Sequence, residues 1–308
     1  MSKVTIVGAG AMGSVYAGLM QDAGHEVHGV THWPDHAAAV TKNGLRVHGA
    51  SGDRTVRLAS MTTTTDGIGR SDLVVIATKA FDVEAAALSA RSLIGPHTVV
   101  QTIQNGLGSA DRVASVLGAD RLAVGVVGGF GASVPTPGTV HHNGMEMVRF
   151  GSYSTLPRAE LAASAEVWTS AGFQVRLFDD IAQMVWEKLI MNVAFSGTCA
   201  LTELTIGGVI ADRNAWQVAS ECSREAVAVA QAAGITLDVG DPIEHVRTLG
   251  GRIPHARPSM LIDASLRRRG EVDAINGAIC ARGKELGVPT PANDTVVALV
   301  KAREAAYL

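Results

Sequence analysis

The chain has 308 residues, enough for two domains with cores of their own. Its 47% hydrophobic and 18% charged content fits a soluble globular protein and excludes a disordered or fibrous one. A net charge of −3, with no basic block longer than Arg267-Arg268-Arg269, argues against nucleic acid as a partner. No apolar run reaches the roughly eighteen residues needed to span a bilayer.

The N-terminus enters a strand almost at once, at Val4 to Val7. No basic leader or cleavage pattern precedes it, so it does not read as a signal peptide. That strand runs into Gly8-Ala9-Gly10-Ala11-Met12-Gly13, a G-x-G-x-x-G element, followed by a helix to about Ala23 and a second strand at Val27 to Val30. In a chain with 34 glycines the pattern alone is weak, and an ordinary strand–helix turn is the alternative. Its place between an N-terminal strand and a helix favours a dinucleotide site. Gly8 would allow the tight turn, Gly10 the approach of a pyrophosphate and Gly13 close packing of helix on strand. Ala9, Ala11 and Met12 complete the cradle, and the helix N-terminus offers free N–H groups to the phosphates.

The second strand ends Val30-Thr31-His32, without the acid that bonds the ribose 2′-OH in NAD sites and without an arginine for a 2′-phosphate. His32 is a candidate for that phosphate, although a lone surface histidine is more often only solvated. The balance favours NADP, with NAD open. Further strands are expected at Leu73 to Ala77, Val99 to Thr102 and Leu122 to Val127. Such apolar runs, separated by helical stretches, predict a mostly parallel α/β sheet. Turn signals Pro137-Gly138 and Asn143-Gly144 then mark a hairpin, around Val140 and Met145 to Gly151, closing the far edge of the sheet. Lys79 follows the third of these strands and Asn105-Gly106 the fourth, both at the carboxyl edge where ligands sit. Singly, each also reads as a solvated lysine or a plain turn.

From Ile181 onward helix formers dominate, which predicts a boundary near residue 178: a Rossmann-type dinucleotide domain over 1–178 and an all-helical substrate and catalytic domain over 179–308. Val218 to Ala233 and Val272 to Leu286 read as long helices, ending at Gly234 and Gly287. Two residues break the apolar pattern. Lys188 shares a helix face with Ile181, Met184 and Val185, and Asn192 and Ser196 continue that stripe. Glu271 precedes Ile275 and Ala278 at helical spacing. A structural ion pair between two helices, or a lysine snorkelling to water, is the plain account. The functional account is that an ammonium stabilises and protonates the oxygen formed when hydride reduces a ketone, with the carboxylate holding it. Cys199, Cys222 and Cys280 are far apart and odd in number, as reduced core thiols of a cytoplasmic protein would be. No Cys/His cluster has ligand spacing: His141 and His142 are adjacent on a strand, and His25 and His28 diverge, so no metal is expected.

With Gly8, Gly10 and Gly13, Lys79, Asn105-Gly106, Lys188-Leu189 with Asn192, and Glu271 in this order, the chain resembles the ketopantoate reductase (2-dehydropantoate 2-reductase) family over almost its whole length. Trp186-Glu187-Lys188-Leu189 with Asn192 is similar to the family's catalytic helix. Ser259-Met260-Leu261 with Asp263, Arg269-Gly270-Glu271-Val272-Asp273 and Asn276-Gly277 resemble its closing motif, and Gly287-Val288-Pro289-Thr290-Pro291 its tail. The resemblance implies a Rossmann domain, an all-helical domain and an active site in the cleft. It also implies NADPH-dependent reduction of a 2-oxo acid to a 2-hydroxy acid, in pantothenate biosynthesis. By similarity Lys188 is the general acid, Asn105 meets nicotinamide and substrate, and Lys79 meets the cofactor. Asn192 would take the substrate hydroxyl, Ser259 its carboxylate, and Glu271 would contact cofactor or substrate and position the lysine. Ser259 also reads as a helix N-cap after Pro258.

The chain departs from the family at Ser196, where a second asparagine is usual, and near Ile206, where a further one falls. These changes put ketopantoate itself in question and leave open a paralogue acting on another hydroxy or keto compound. A non-catalytic NADP(H)-sensing protein is the rival of another class, and the retained lysine and glutamate speak against it. A small-molecule substrate is the expected partner, and a homodimer is left open.

Overall fold

The computed structural model of the protein describes residues 1–129, 131–144 and 147–308. Its chain divides into two compact units, one of residues 1–104 and 109–181, the other of residues 105–108 and 182–308.

The first unit holds an eight-stranded and a four-stranded sheet. Its strands are β1 (Lys3–Val7), β2 (Glu26–Val30), β3 (Leu45–Gly49), β4 (Arg54–Val56), β5 (Ser60–Thr62), β6 (Leu73–Ile76), β7 (Val99–Thr102), β8 (Leu122–Val127), β9 (Gly131–Thr136), β10 (Thr139–Gly144), β11 (Met147–Ser152) and β12 (Gln174–Leu177). Its helices are α1 (Ala11–Asp22), α2 (Pro34–Asn43), α3 (Val83–Ala90), α4 (Ser109–Leu117) and α5 (Arg158–Ser170). The large sheet runs β12-β11-β8-β7-β6-β1-β2-β5, parallel throughout except where β11 meets β8. Every residue of β6 and β7 is buried; β6 is apolar throughout, and β7 buries Gln101, which pairs with Ser164 and Trp168, beside its two valines. An aromatic cluster of Tyr16, Phe150, Trp168 and Phe173 fills the core, with Tyr16 edge-on to Trp168 at 4.8 Å. Strand order reverses at β1, which lies between β2 and β6, so the turn after β1 sits at the switch point where α/β sheets take ligands.

The predicted hairpin is corrected. Val140 lies in β10 of the small sheet, ordered β4-β3-β10-β9, where Pro137-Gly138 turns β9 into β10. Only β11 joins the large sheet, and the edge beyond it is β12, parallel to β11. Met145 lies outside the described residues. Strands β3, β4 and β5 carry no apolar run and were not expected.

The second unit is helical: α6 (Ile181–Thr202, counted from Ala182), α7 (Ile206–Ala211), α8 (Arg213–Ala232), α9 (Pro242–Arg252), α10 (Ser259–Ser265), α11 (Asn276–Leu286) and α12 (Pro291–Glu304). Helix α8 starts five residues before the predicted Val218, because Asp212 caps it by accepting from the amides of Asn214 and Ala215. The predicted helix from Val272 is corrected as well. Residues 272–275 form turns, and α11 begins at Asn276. Asn276 is fully buried and donates to Val193 O of α6 at 3.0 Å and to Asn293 Oδ1 of α12 at 2.9 Å. Asn293 in turn bonds Cys222 O and the Glu225 carboxylate of α8, and that carboxylate also accepts two amides at the start of α12. Buried polar groups thus tie four helices together, each bond offsetting the cost of desolvation. Among the described residues no helix is long and apolar enough to cross a membrane.

Candidate active site

The glycine turn has the geometry its spacing predicts. Gly8 has φ +103°, and a methyl there would strike the backbone of Ala77 and Thr78. A methyl on Gly13 would overlap Gly8 O, so α1 packs directly on the turn. Gly10 is exposed, with nothing within 4 Å of where its Cβ would stand, and no side chain caps α1. The amides of Gly8 and Ala9 both donate to Val30 O at the end of β2, at 2.9 and 2.8 Å. The first amides of α1, from Ala11, Met12 and Gly13, lie within the opening turn of a helix whose first bond runs from Ser14 N to Gly10 O. An open backbone face at a positive helix end is the cradle a pyrophosphate needs, so these residues fit a dinucleotide. His32 is exposed just beyond β2, and Lys79 is half-buried just beyond β6, its carbonyl accepting from Asp82 N.

In the second unit, Lys188 is half-buried on α6 and donates through Nζ to Asn105 Oδ1 at 2.6 Å. Asn105 follows β7 in sequence but belongs, with Gly106, Leu107 and Gly108, to the helical unit. Leu107 N donates to Ala274 O at 2.9 Å. Gly106 has φ +84°, and a methyl there would overlap that same carbonyl. Only glycine lets the segment press so close. Ala274 N and Ile275 N both return to Glu271 O, so the turn beginning at Glu271 carries the segment that carries Asn105.

Glu271 is 7% exposed, yet it stands in this turn rather than on a helix as predicted. Asn192 lies one turn beyond Lys188 on α6 and is half-buried; Ser196, one turn further, is buried. Ser259 is exposed and is the first residue of α10. Pro258 is the cap residue, so the N-cap reading of Ser259 is corrected. Ile206 is buried at the start of α7, which Thr205 caps from its side chain.

The sequence reading missed three residues that shape these elements. Gln104, immediately before Asn105, donates from Nε2 to Ile76 O at 2.8 Å and Thr78 O at 3.1 Å, clamping the carboxyl ends of β6 and β7. Its only signal was its place beside Asn105-Gly106. Ser14 and His36 are both fully buried against the glycine turn. A lone histidine beside Pro34-Asp35 gave no sign of burial. The three cysteines are free thiols, and burial pushes Cys199 and Cys222 up to about 12, which leaves them inert as nucleophiles near neutral pH. Cys280 is half-buried rather than a full core residue.

A sequence model described as Ketopantoate reductase PanE/ApbA matches residues 4–155, and one described as Ketopantoate reductase PanE/ApbA C terminal matches residues 180–304. The 2-dehydropantoate 2-reductase of Streptococcus pyogenes serotype M6 is 29% identical over 303 residues, covering 98% of each chain. Among solved structures, a PanE/ApbA family ketopantoate reductase from Ralstonia eutropha JMP134 is 32% identical, with a TM-score of 0.90 over 99% of each chain. A D-mandelate dehydrogenase in a ternary structure with NADH and anilino(oxo)acetate is 27% identical, with a TM-score of 0.91 over 99% of each chain. Two matched halves that together span nearly the whole sequence, on a shared fold, place the chain in the ketopantoate reductase family, as an NAD(P)-dependent oxidoreductase acting on a CH–OH group.

Proposed function

We propose that the protein reduces a 2-oxo acid to a 2-hydroxy acid with NADPH, that Lys188 is the general acid, and that residues 1–178 bind the dinucleotide while 179–308 bind substrate. The observation that carries this is the 2.6 Å bond from Lys188 Nζ to Asn105 Oδ1. It gives the ammonium a fixed direction, and an ammonium so aimed stabilises a developing alkoxide. The glycine turn, with Lys79 and His32, would hold a nicotinamide dinucleotide, which when reduced would supply hydride to the carbonyl carbon of the substrate. Lys188 gives its proton to the carbonyl oxygen, so that a C–H and an O–H bond form as the C=O π bond is lost. The lysine then recovers a proton from water. Asn105 and Asn192 orient the oxygen, Ser259 takes the carboxylate, and Glu271 holds the turn that supports Asn105. Relatives named 2-dehydropantoate 2-reductase support ketopantoate as substrate and pantothenate biosynthesis as the setting. Free thiols suit a cytoplasmic protein.

A second reading has its own support. The end of β2 offers no arginine to a 2′-phosphate, only exposed His32, and one of the most similar solved structures is a D-mandelate dehydrogenase holding NADH. With Ser196 short and Ile206 apolar, a bulkier 2-oxo acid reduced with NADH is the alternative. Initial rates on ketopantoate and on aryl and branched 2-oxo acids, each with NADPH and NADH, decide between the two. Binding of either dinucleotide without oxidation by any acid, and without a reverse reaction, would favour a sensor instead.

A further inference from the structure

The glycine turn has almost no side chains of its own to hold it in shape, so its rigidity must come from neighbours. The Ala9 carbonyl accepts from Ser14 Oγ at 3.3 Å. Ser14 Oγ lies 3.0 Å from His36 Nε2, and His36 Nδ1 accepts from Gly138 N at 3.0 Å. These contacts fix every proton. A ring nitrogen that accepts from an amide must carry a lone pair, so the hydrogen sits on Nε2. Nε2–H then donates to Ser14 Oγ, whose own hydrogen is free to reach Ala9 O. Burial holds His36 below its ordinary value, in keeping with a neutral ring. Ser14 and His36 are both 0% exposed, and Trp33 stacks on the imidazole at 5.5 Å. One directed chain thus runs from the Pro137-Gly138 turn of the small sheet, through the first turn of α2, to the peptide that separates the first two glycines of the motif.

We propose that His36 and Ser14 are positioning residues for the dinucleotide. The Gly10 amide is engaged by Gly8 O at 2.8 Å, and the two side chains hold the Ala9 carbonyl turned into the protein, so that no carbonyl oxygen stands beside the amides of Ala11, Met12 and Gly13 that the opening turn of α1 offers to the phosphates. A flip of the Ala9–Gly10 peptide would put a partial negative charge where the pyrophosphate must lie. The inference rests on the reading that this turn takes a nicotinamide dinucleotide. It adds that affinity for the dinucleotide is set in part by a hydrogen-bond chain that never touches it.

Two near-isosteric substitutions separate the chain from mere packing. In His36→Gln the amide nitrogen takes the place of Nε2 and keeps the donor to Ser14. In His36→Asn the amide oxygen takes the place of Nδ1 and keeps the acceptor for Gly138, while the donor to Ser14 is lost. Fluorescence titration with NADPH and NADH, together with amide hydrogen exchange of residues 8–14 in the free protein, reads both consequences. We expect His36→Asn and Ser14→Ala to weaken binding about ten-fold, to raise the KM for dinucleotide more than they lower kcat, and to speed exchange in the turn. His36→Gln should stay within about three-fold of the natural protein in affinity, with slow exchange retained. Equal behaviour of the Gln and Asn variants, or unchanged affinity and exchange in His36→Asn, would overturn the proposal. If the natural protein binds neither dinucleotide, the functional reading fails, while the exchange comparison still decides whether the chain braces the turn.

Discussion

At the scale of single residues, the account turns on which side chains are held and by what. Lys188 is aimed by Asn105, and Asn105 is placed by a segment that tolerates no side chain at Gly106. Gly106→Ala should therefore act through geometry. It forces an unfavourable φ and pushes 105–108 off Ala274. A displacement of about 1 Å at a catalytic group costs on the order of 100-fold in kcat, and steady-state rates at saturating NADPH would show it. An unchanged kcat would break the link between this segment and the chemistry. Ser196→Asn tests the pocket: it should raise kcat/KM on ketopantoate, and an equal or lower value would tell against the proposed change of substrate contacts. Lys188 and Glu271 stood out in the sequence because each interrupts an apolar pattern, and Asn105 because it follows the fourth strand at the carboxyl edge of the sheet. Ser14 and His36 were not legible, since a serine and a histidine become informative only when the fold buries them face to face.

At the scale of elements, strands buried on both faces announced themselves. β1, β2, β6, β7 and β8 were read correctly to within a residue or so, because each is a short stretch rich in β-branched residues set between helical stretches. Short strands such as β4 and β5 carry Arg54-Thr55 and Ser60, and their pairing comes from neighbours rather than from their own pattern. The start of α11 was misread for a related reason. Val272, Ala274 and Ile275 are buried, so an apolar count runs through a turn as easily as through a helix. Capping supplies what periodicity lacks, and it yields a stability prediction. Asp212 caps α8 with two amides, so Asp212→Ala should lower the unfolding free energy by about 1 kcal/mol in urea titrations, with activity unaffected. A change near zero would mean that tertiary packing alone sets where α8 begins.

For the whole molecule, pH exposes the buried histidines. Burial lowers His36 and His25 below the ordinary value of 6.5, so the folded chain takes up fewer protons there than the unfolded one. Stability is full above that value and declines as pH falls through it toward the folded values. Thermal midpoints should drop between about pH 6.5 and pH 5, and His36→Gln should flatten part of the drop. A profile as steep in the variant as in the natural protein would show that other groups dominate. The two-part α/β and helical organisation was visible from composition and motif order, whereas cofactor choice was not, because the end of β2 carries neither the acid nor the arginine that would declare it.

The central claim, that Lys188 delivers the proton in a hydride reduction, is tested most directly by single-turnover mixing of the NADPH-loaded protein with ketopantoate. The natural protein is compared with Lys188→Ala, and NADPH binding is titrated on both. The account predicts a loss of about 100- to 10,000-fold in the rate of NADPH oxidation, with the dissociation constant for NADPH changed no more than a few-fold. Turnover and NADPH binding lost together, or turnover retained without the lysine, would contradict it.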